Sequence, residues 1–176
     1  MCFINHAPEI HLHRTTMLTP EQFIAGLIDF GPGRSKLFAN SADDYLNVHY
    51  LGRSEADVTE GSRGIWERLY YDWSDHNHVI LTTADSNVWE CGSSYTYTLA
   101  PQANGTTDID VRISRKGKNF KGRVLGLVLR TIGKRVLERA FQNTVKAIEA
   151  MNGVAQRDSA CEIEVFVTSN TERSSS

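Results

Sequence analysis

The chain has 176 residues, 40% of them hydrophobic and 23% charged, with a net charge of −2. That fits one globular domain able to bury a core and enclose a cavity, and it excludes a global pull toward nucleic acid. Cys2, Cys91 and Cys161 stand too far apart in sequence for a zinc site or redox pair, no stretch approaches the roughly 20 apolar residues of a membrane span, and Met1 to Pro8 lacks the apolar run of a signal peptide, so the expectation is a soluble, cytoplasmic protein.

In chain order, residues 1–8 form a short lead. Glu9 to Thr16 alternates Ile10 and Leu12 with His11 and His13, as a half-buried strand does. Thr19-Pro20-Glu21-Gln22 then opens a helix: Thr19 is a fair N-cap, Pro20 suits the first turn and Gln22 stands at the capping-box position. Phe23, Ile24, Leu27 and Ile28 give that helix its apolar side. Gly31-Pro32-Gly33 ends it, and Ser35 to Asn40 reads as a second short helix or turn. From Tyr45 to Arg115 the period changes to two, with strands expected at Tyr45–Leu51, Ser54–Glu60, Gly64–Trp73, His78–Thr83, Val88–Ala100 and Thr106–Arg115. The turns between them are short and rich in Gly, Asn, Asp or Ser, which favours an antiparallel meander. Asn104-Gly105-Thr106 matches a glycosylation sequon, but Asn-Gly in a hairpin turn is the better account.

Phe120 to Asn152 is the longest helical stretch. Its apolar residues fall at Val124, Val128, Ile132 and Val136, then at Leu137, Phe141, Ile148 and Met151, with a bend expected at Gly133. Residues 153–176 make a polar tail in which 161–168 alternates like one more strand. The order of strand, two helices, antiparallel run and closing helix puts a curved sheet around a single helix, with a pocket where side chains fail to fill the gap.

Within that order, Trp66-Glu67-Arg68, Tyr71-Asp72-Trp73-Ser74, Asp85-Ser86-Asn87-Val88, Gly92-Ser93 and Lys121-Gly122-Arg123 with Gly126 resemble the SRPBCC (START-like) superfamily, most closely bacterial polyketide cyclase/dehydrase and lipid-transport proteins. The resemblance spans about residues 9–152. It implies an α+β helix-grip fold, a curved antiparallel sheet wrapped around a long C-terminal helix, with a hydrophobic ligand cavity between them. It also implies a binder or carrier of a lipid, polyketide or similar apolar molecule, or alternatively an aromatase/cyclase or dehydratase. No shared catalytic motif comes with it.

The residues themselves nominate the site. Leu69, Tyr71, Trp73, Trp89, Tyr95 and Tyr97 on the sheet, with Ile132 and Val136 on the helix, are the expected ligand contacts, because rings bind flat apolar ligands and a phenol adds a directional hydrogen bond. The competing reading is that these rings fill the core. Alternation turns Ile65, Glu67, Leu69, Tyr71 and Trp73 inward. An inward Glu67 in apolar surroundings would have a raised pKa and suit general acid or base work; otherwise it is a surface carboxylate beside Arg68.

Other chemistries find less support. His11 with His13, and His76 with His78, have strand-face spacing, and His49 would complete a set, yet no carboxylate or cysteine stands with them, so no metal is expected. Ser86 and Ser93 lack a nucleophile elbow, Cys91 reads as a small inward filler, and no phosphate-cradling glycine loop implies a cofactor. Arg115, Lys116, Lys118, Lys121, Arg123, Arg130, Lys134, Arg135 and Arg139 crowd one region. They form either a solvated face or, through Arg130, Lys134 and Arg135, a contact for an acidic carrier protein or an anionic membrane surface.

Overall fold

The computed structural model describes residues 9–38, 45–131 and 133–173, with Arg130 and residues 154–173 described by backbone alone. Strand β1 (Glu9–Thr16) leads into helices α1 (Pro20–Leu27) and α2 (Arg34–Leu37). Strands β2 (Asn47–Leu51), β3 (Glu55–Ser62), β4 (Ile65–Asp75), β5 (His78–Ser86), β6 (Ser94–Pro101) and β7 (Thr107–Ser114) follow, then α3 (Phe120–Thr131) and α4 (Gly133–Arg173). They form one curved antiparallel sheet in the order β1-β7-β6-β5-β4-β3-β2, an α+β helix-grip architecture. The meander follows from short turns, and β1 closes against β7 over the full register from Glu9↔Ser114 to Thr16↔Thr107. Among the described residues no helix is long and apolar enough to cross a membrane.

The local signals act as their chemistry requires. Thr19 Oγ1 accepts from the Gln22 amide at 3.3 Å and Gln22 Oε1 accepts from the Thr19 amide at 2.9 Å, a complete capping box. Inward alternation buries Ala56 and Val58 on β3, Leu69 and Tyr71 on β4, Val79 and Leu81 on β5, and Ile109, Val111 and Ile113 on β7. Against them pack Phe23 and Leu27 of α1 and Val145 and Ile148 of α4, each large side chain worth about 1.5–3 kcal/mol when fully buried. Gly26 lets α1 approach α4 this closely, since a Cβ there would come within 2.7 Å of Ile148 Cγ1.

Several expectations need correction. The closing helix is divided into α3 and α4, and the first half of its inward row is shifted by one position to Gly122, Leu125, Leu129 and Gly133, while Leu137, Phe141 and Ile148 are buried or half-buried as expected, with Val145 between them. Val124, Val128, Val136 and Met151 are instead exposed. The shift has a packing cause. A Cβ on Gly122 would overlap the Val88 carbonyl, so α3 is seated with its glycine face on the sheet end and Val124 turned out. Residues 161–168 are helix, part of α4, because a helix satisfies its own backbone while a strand needs a sheet edge. The β5–β6 connection leaves the ladder over residues 87–93, with Trp89 bridging to Gly117, so Cys91 lies exposed in a turn rather than inward. The β3–β4 turn is tighter than expected: Arg63 and Gly64 both take positive φ, 54° and 75°, and β3 therefore keeps Glu60 on its buried face.

Candidate functional site

The sheet and α4 do not meet across the middle. Between them lies a cavity of about 530 Å³ walled by Phe23 and Leu27 of α1, Arg34 and Leu37 of α2, Phe38, Glu60, Leu69, Tyr71, Leu81, Tyr95, Tyr97, Val111 and Ile113, and closed by Leu137, Ala140, Phe141 and Thr144 of α4. Such a volume and such walls suit a small apolar molecule. A second space of about 240 Å³ continues beneath α3; it shares Glu60, Leu69, Tyr95, Ile113 and Leu137 with the first and adds Glu67, Trp89, Arg115, Leu125 and Leu129.

Two buried ion pairs stand in these walls. Arg34 is 2% exposed and donates from Nε to Glu60 Oε2 at 2.9 Å, from Nη1 to the carbonyls of Leu27 and Asp29 at 3.1 and 2.7 Å, and from Nη2 to the Tyr71 hydroxyl at 2.9 Å. The Tyr71 hydroxyl in turn donates to Glu60 Oε1 at 2.6 Å. Phe30 and Phe38 cover the guanidinium, with ring centroids 4.7 and 4.5 Å away. This is a hub that ties α1, α2, β3 and β4 together.

Arg115 forms the other pair. Its Nη1 donates to Glu67 Oε1 and, at 3.2 Å, to Thr83 Oγ1, while Thr83 Oγ1 donates to the same Glu67 oxygen. The guanidinium lies 4.0 Å from the Tyr95 ring centroid and 5.4 Å from that of Trp89. Its Nη2 has no hydrogen-bond partner, although the side chain is only 5% exposed.

Burial opposes the charge on both arginines, but the tyrosine and carboxylate beside each outweigh it, so both are held above the ordinary guanidinium value. Burial likewise pushes the Tyr71, Tyr95 and Tyr97 phenols up, Tyr71 well above its ordinary value with Glu60 adding to the effect. At neutral pH the phenols on the cavity wall are therefore protonated donors.

Leu69, Tyr71, Tyr95 and Tyr97 line the main cavity, and Trp89 lines the space under α3. Trp73 packs half-buried on the core without lining either space, because β4 loses its regular register between Asp72 and Asp75. Val136 is 61% exposed and Leu137 takes its place; Ile132 lies outside the described residues. Glu67 faces inward, but its surroundings are the Arg115 ion pair rather than an apolar wall. Arg115 itself belongs to this interior and not to the basic surface.

Elsewhere on that surface Lys116 meets Glu90 at 2.6 Å and Lys118 meets Asp85 at 3.0 Å. The histidines have separate partners: His13 pairs with Asp110, His78 with Asp75, and His49 with Thr59. Among the described residues no three His, Cys, Asp or Glu side chains gather as a metal site. Ser86 and Ser93 hold backbone, Oγ of Ser86 donating to the Trp66 carbonyl and Oγ of Ser93 accepting from the Lys116 amide.

Sequence reasoning missed Arg34 and Glu60. The signal for Glu60 was present, since it closes the expected strand and continues the Ala56, Val58 alternation; a carboxylate at a strand end next to a turn reads as solvent-facing, and only its partners Arg34 and Tyr71 take it inside. Nothing local marked Arg34, whose acceptors come from four other elements of the chain.

No protein-family model and no curated protein matches the sequence. Solved structures do match in shape. A protein of Thermus thermophilus superposes with a TM-score of 0.63 at 13% identity, covering 82% of this chain and 99% of its own. The Zhui aromatase/cyclase of a Streptomyces species gives 0.65 at 9% identity, covering 82% and 94%. A START superfamily protein from Mycobacterium smegmatis gives 0.53 at 10% identity, covering 76% and 97%. At these identities the likeness establishes the START-like fold and nothing finer.

Proposed function

We propose that this START-like chain binds a hydrophobic small molecule, such as a lipid or polyketide, between its sheet and α4, and carries it through a reducing, cytoplasmic compartment. The observation behind this reading is the space of about 530 Å³ left unfilled by side chains, apolar over most of its wall and edged by protonated phenols. Native mass spectrometry of protein purified from its own host tests it: a co-purifying apolar ligand is expected, and repeated preparations without one, together with no binding of added apolar probes, overturn it.

A second reading, cyclisation or dehydration of a polyketide-like ligand, draws on two wall carboxylates, Glu60 and Glu67, each beside a tyrosine or hydroxyl that could share a proton. Both carboxylates are held in ion pairs, which ties up the base that such chemistry needs, and this places binding first. Conversion of the co-purified ligand, lost in Glu67→Gln, would reverse the order. Delivery is the remaining element: Lys134 and Arg135 are exposed beside the equally exposed Val128 and Val136, and with Arg130 they suit an anionic membrane surface or an acidic carrier protein. Lys134→Glu with Arg135→Glu should weaken binding to anionic vesicles or carrier about tenfold or more, at roughly 1 kcal/mol per basic residue near such a surface; unchanged binding removes the delivery step.

A further inference from the structure

Two cations stand where the main cavity opens to water. Lys36 of α2 and Arg63 of the β3–β4 turn are exposed, and both line the cavity, with Ser62 and Asn143 beside them. Among the described residues neither side chain has a hydrogen-bond or ion-pair partner. Arg63 also lines the smaller space beneath α3. Its φ is 54°, left-handed backbone at a turn position that Asn, Asp or Gly occupies at lower cost. Burial gives no reason for an arginine there, since the residue is exposed, and strain kept at such a place points to a site. Behind the mouth the charges cancel: Arg34 is balanced by Glu60 and Arg115 by Glu67. The described lining of the main cavity thus holds three cations, Arg34, Lys36 and Arg63, against one carboxylate, Glu60, and the uncompensated two are both at the mouth.

We propose that Lys36 and Arg63 form a headgroup subsite, holding the anionic oxygens of a carboxylate or phosphate at the end of an amphipathic ligand whose apolar body fills the cavity behind it. This rests on the binding reading above and adds the ligand's chemical class. Solvation sets the position of the charge. An anion carried inside would lose its water and meet only pairs that are already neutral. At the mouth it keeps much of that water and faces two cations with no described carboxylate of their own. The planar fork of Arg63 can take two oxygens of one headgroup, and Lys36 adds a point charge on a flexible stem. Half-buried Phe38, Leu137 and Phe141 line the same cavity and offer the apolar cover that the first carbons behind such a headgroup need.

Four probes of one chain length test the assignment: decanoate, decyl phosphate, decanol and decylammonium, each titrated by calorimetry into the full chain below its micelle concentration. Both anions should bind about fivefold more tightly than decanol, as two partly solvated ion pairs allow, and decylammonium more weakly; the tighter anion names the headgroup. Lys36→Glu with Arg63→Glu should reverse the order and put decylammonium ahead of the anions. Arg63→Asn should lose most of the preference for anions while raising the midpoint of urea denaturation, because Asn takes the left-handed turn more readily. Arg68→Ala, which removes a cation from the outer face of β4, should keep the wild-type order. Anions that bind no more tightly than decanol, or an order that survives the double charge reversal, overturn the subsite and leave the cavity reading intact. A lower urea midpoint in Arg63→Asn with the anion preference retained assigns Arg63 to the turn alone and likewise overturns the subsite. Failure of all four probes to bind removes the cavity reading and the subsite with it.

Discussion

The two buried arginine–glutamate pairs use the same residue types in the same layer of the molecule, yet they do different things. Arg34 reaches acceptors on α1, the α1–α2 loop, β3 and β4, so its charge and hydrogen-bonding capacity are consumed in holding elements together. Arg115 reaches only Glu67 and Thr83, on the neighbouring strands β4 and β5, with its guanidinium laid against the Tyr95 ring. A buried ion pair is weak evidence for stability in itself, because desolvation offsets much of the attraction. What distinguishes the two pairs is how many elements of the chain each arginine holds.

That contrast makes the largest predicted effect a loss of stability at the first pair. Arg34→Met leaves Glu60 buried without its cation and frees two backbone carbonyls; it should cost about 3–5 kcal/mol in urea denaturation, enough to unfold much of the population. Arg115→Met should cost less, about 3 kcal/mol, since it releases only two neighbouring strands, β4 and β5, and no backbone carbonyl, and adding Glu67→Gln should recover most of it because the stranded carboxylate is gone. If the two single variants were reversed in order, the ranking of the pairs by the number of elements each holds would fail.

Alkaline titration sharpens the comparison next. Burial raises Tyr71, Tyr95 and Tyr97 above the unfolded value of about 10, so the unfolded chain releases these protons first as the pH rises. Their contribution is therefore whole below about pH 10 and falls above it, by about 1.4 kcal/mol per pH unit for each tyrosine. Glu60 pushes Tyr71 further up whereas Arg115 pulls Tyr95 back down, so Tyr95 should ionise before Tyr71 in an absorbance titration at 295 nm. Tyr71→Phe should flatten the alkaline fall more than Tyr95→Phe. The smallest effect belongs to an arginine pair on the outside: Arg68 donates to both Asp57 oxygens, at 2.8 and 2.6 Å, and its hydrogen bonds hold Asp57 below the ordinary carboxylate range. Solvent screens that pair, and Arg68→Ala should leave stability nearly unchanged in urea denaturation.

Much of this architecture was legible in the sequence alone. Alternation placed β1 from Glu9 to Thr16, the capping box placed the start of α1, and Glu67, Leu69 and Tyr71 faced inward as their spacing required. Those features are local: a strand face repeats every two residues and a cap is completed within four. The helix row held at Leu137, Phe141 and Ile148 but was off by one position over α3, because the rotation of α3 is set by where Gly122 meets Val88, a contact between segments over thirty residues apart. Periodicity gives the width of an apolar stripe, but α3 exposes Val124 and Val128 and half-buries Leu125 and Leu129, so composition alone could not choose between neighbouring rows.

By itself, then, the sequence determined the order of strand, two helices, antiparallel run and closing helical segment, the meander itself and the presence of rings along its inner face, since each depends on residues close together in the chain. The tertiary structure decided which charges went inside. Arg115 belonged, by sequence, to a basic run with Lys116 and Lys118, and only the approach of β4, β5 and the Trp89 segment took it out of water while its neighbours stayed at the surface. Burial of a charge depends on distant partners arriving together, Glu67 from 48 positions earlier and Thr83 from 32. No local pattern carries that information.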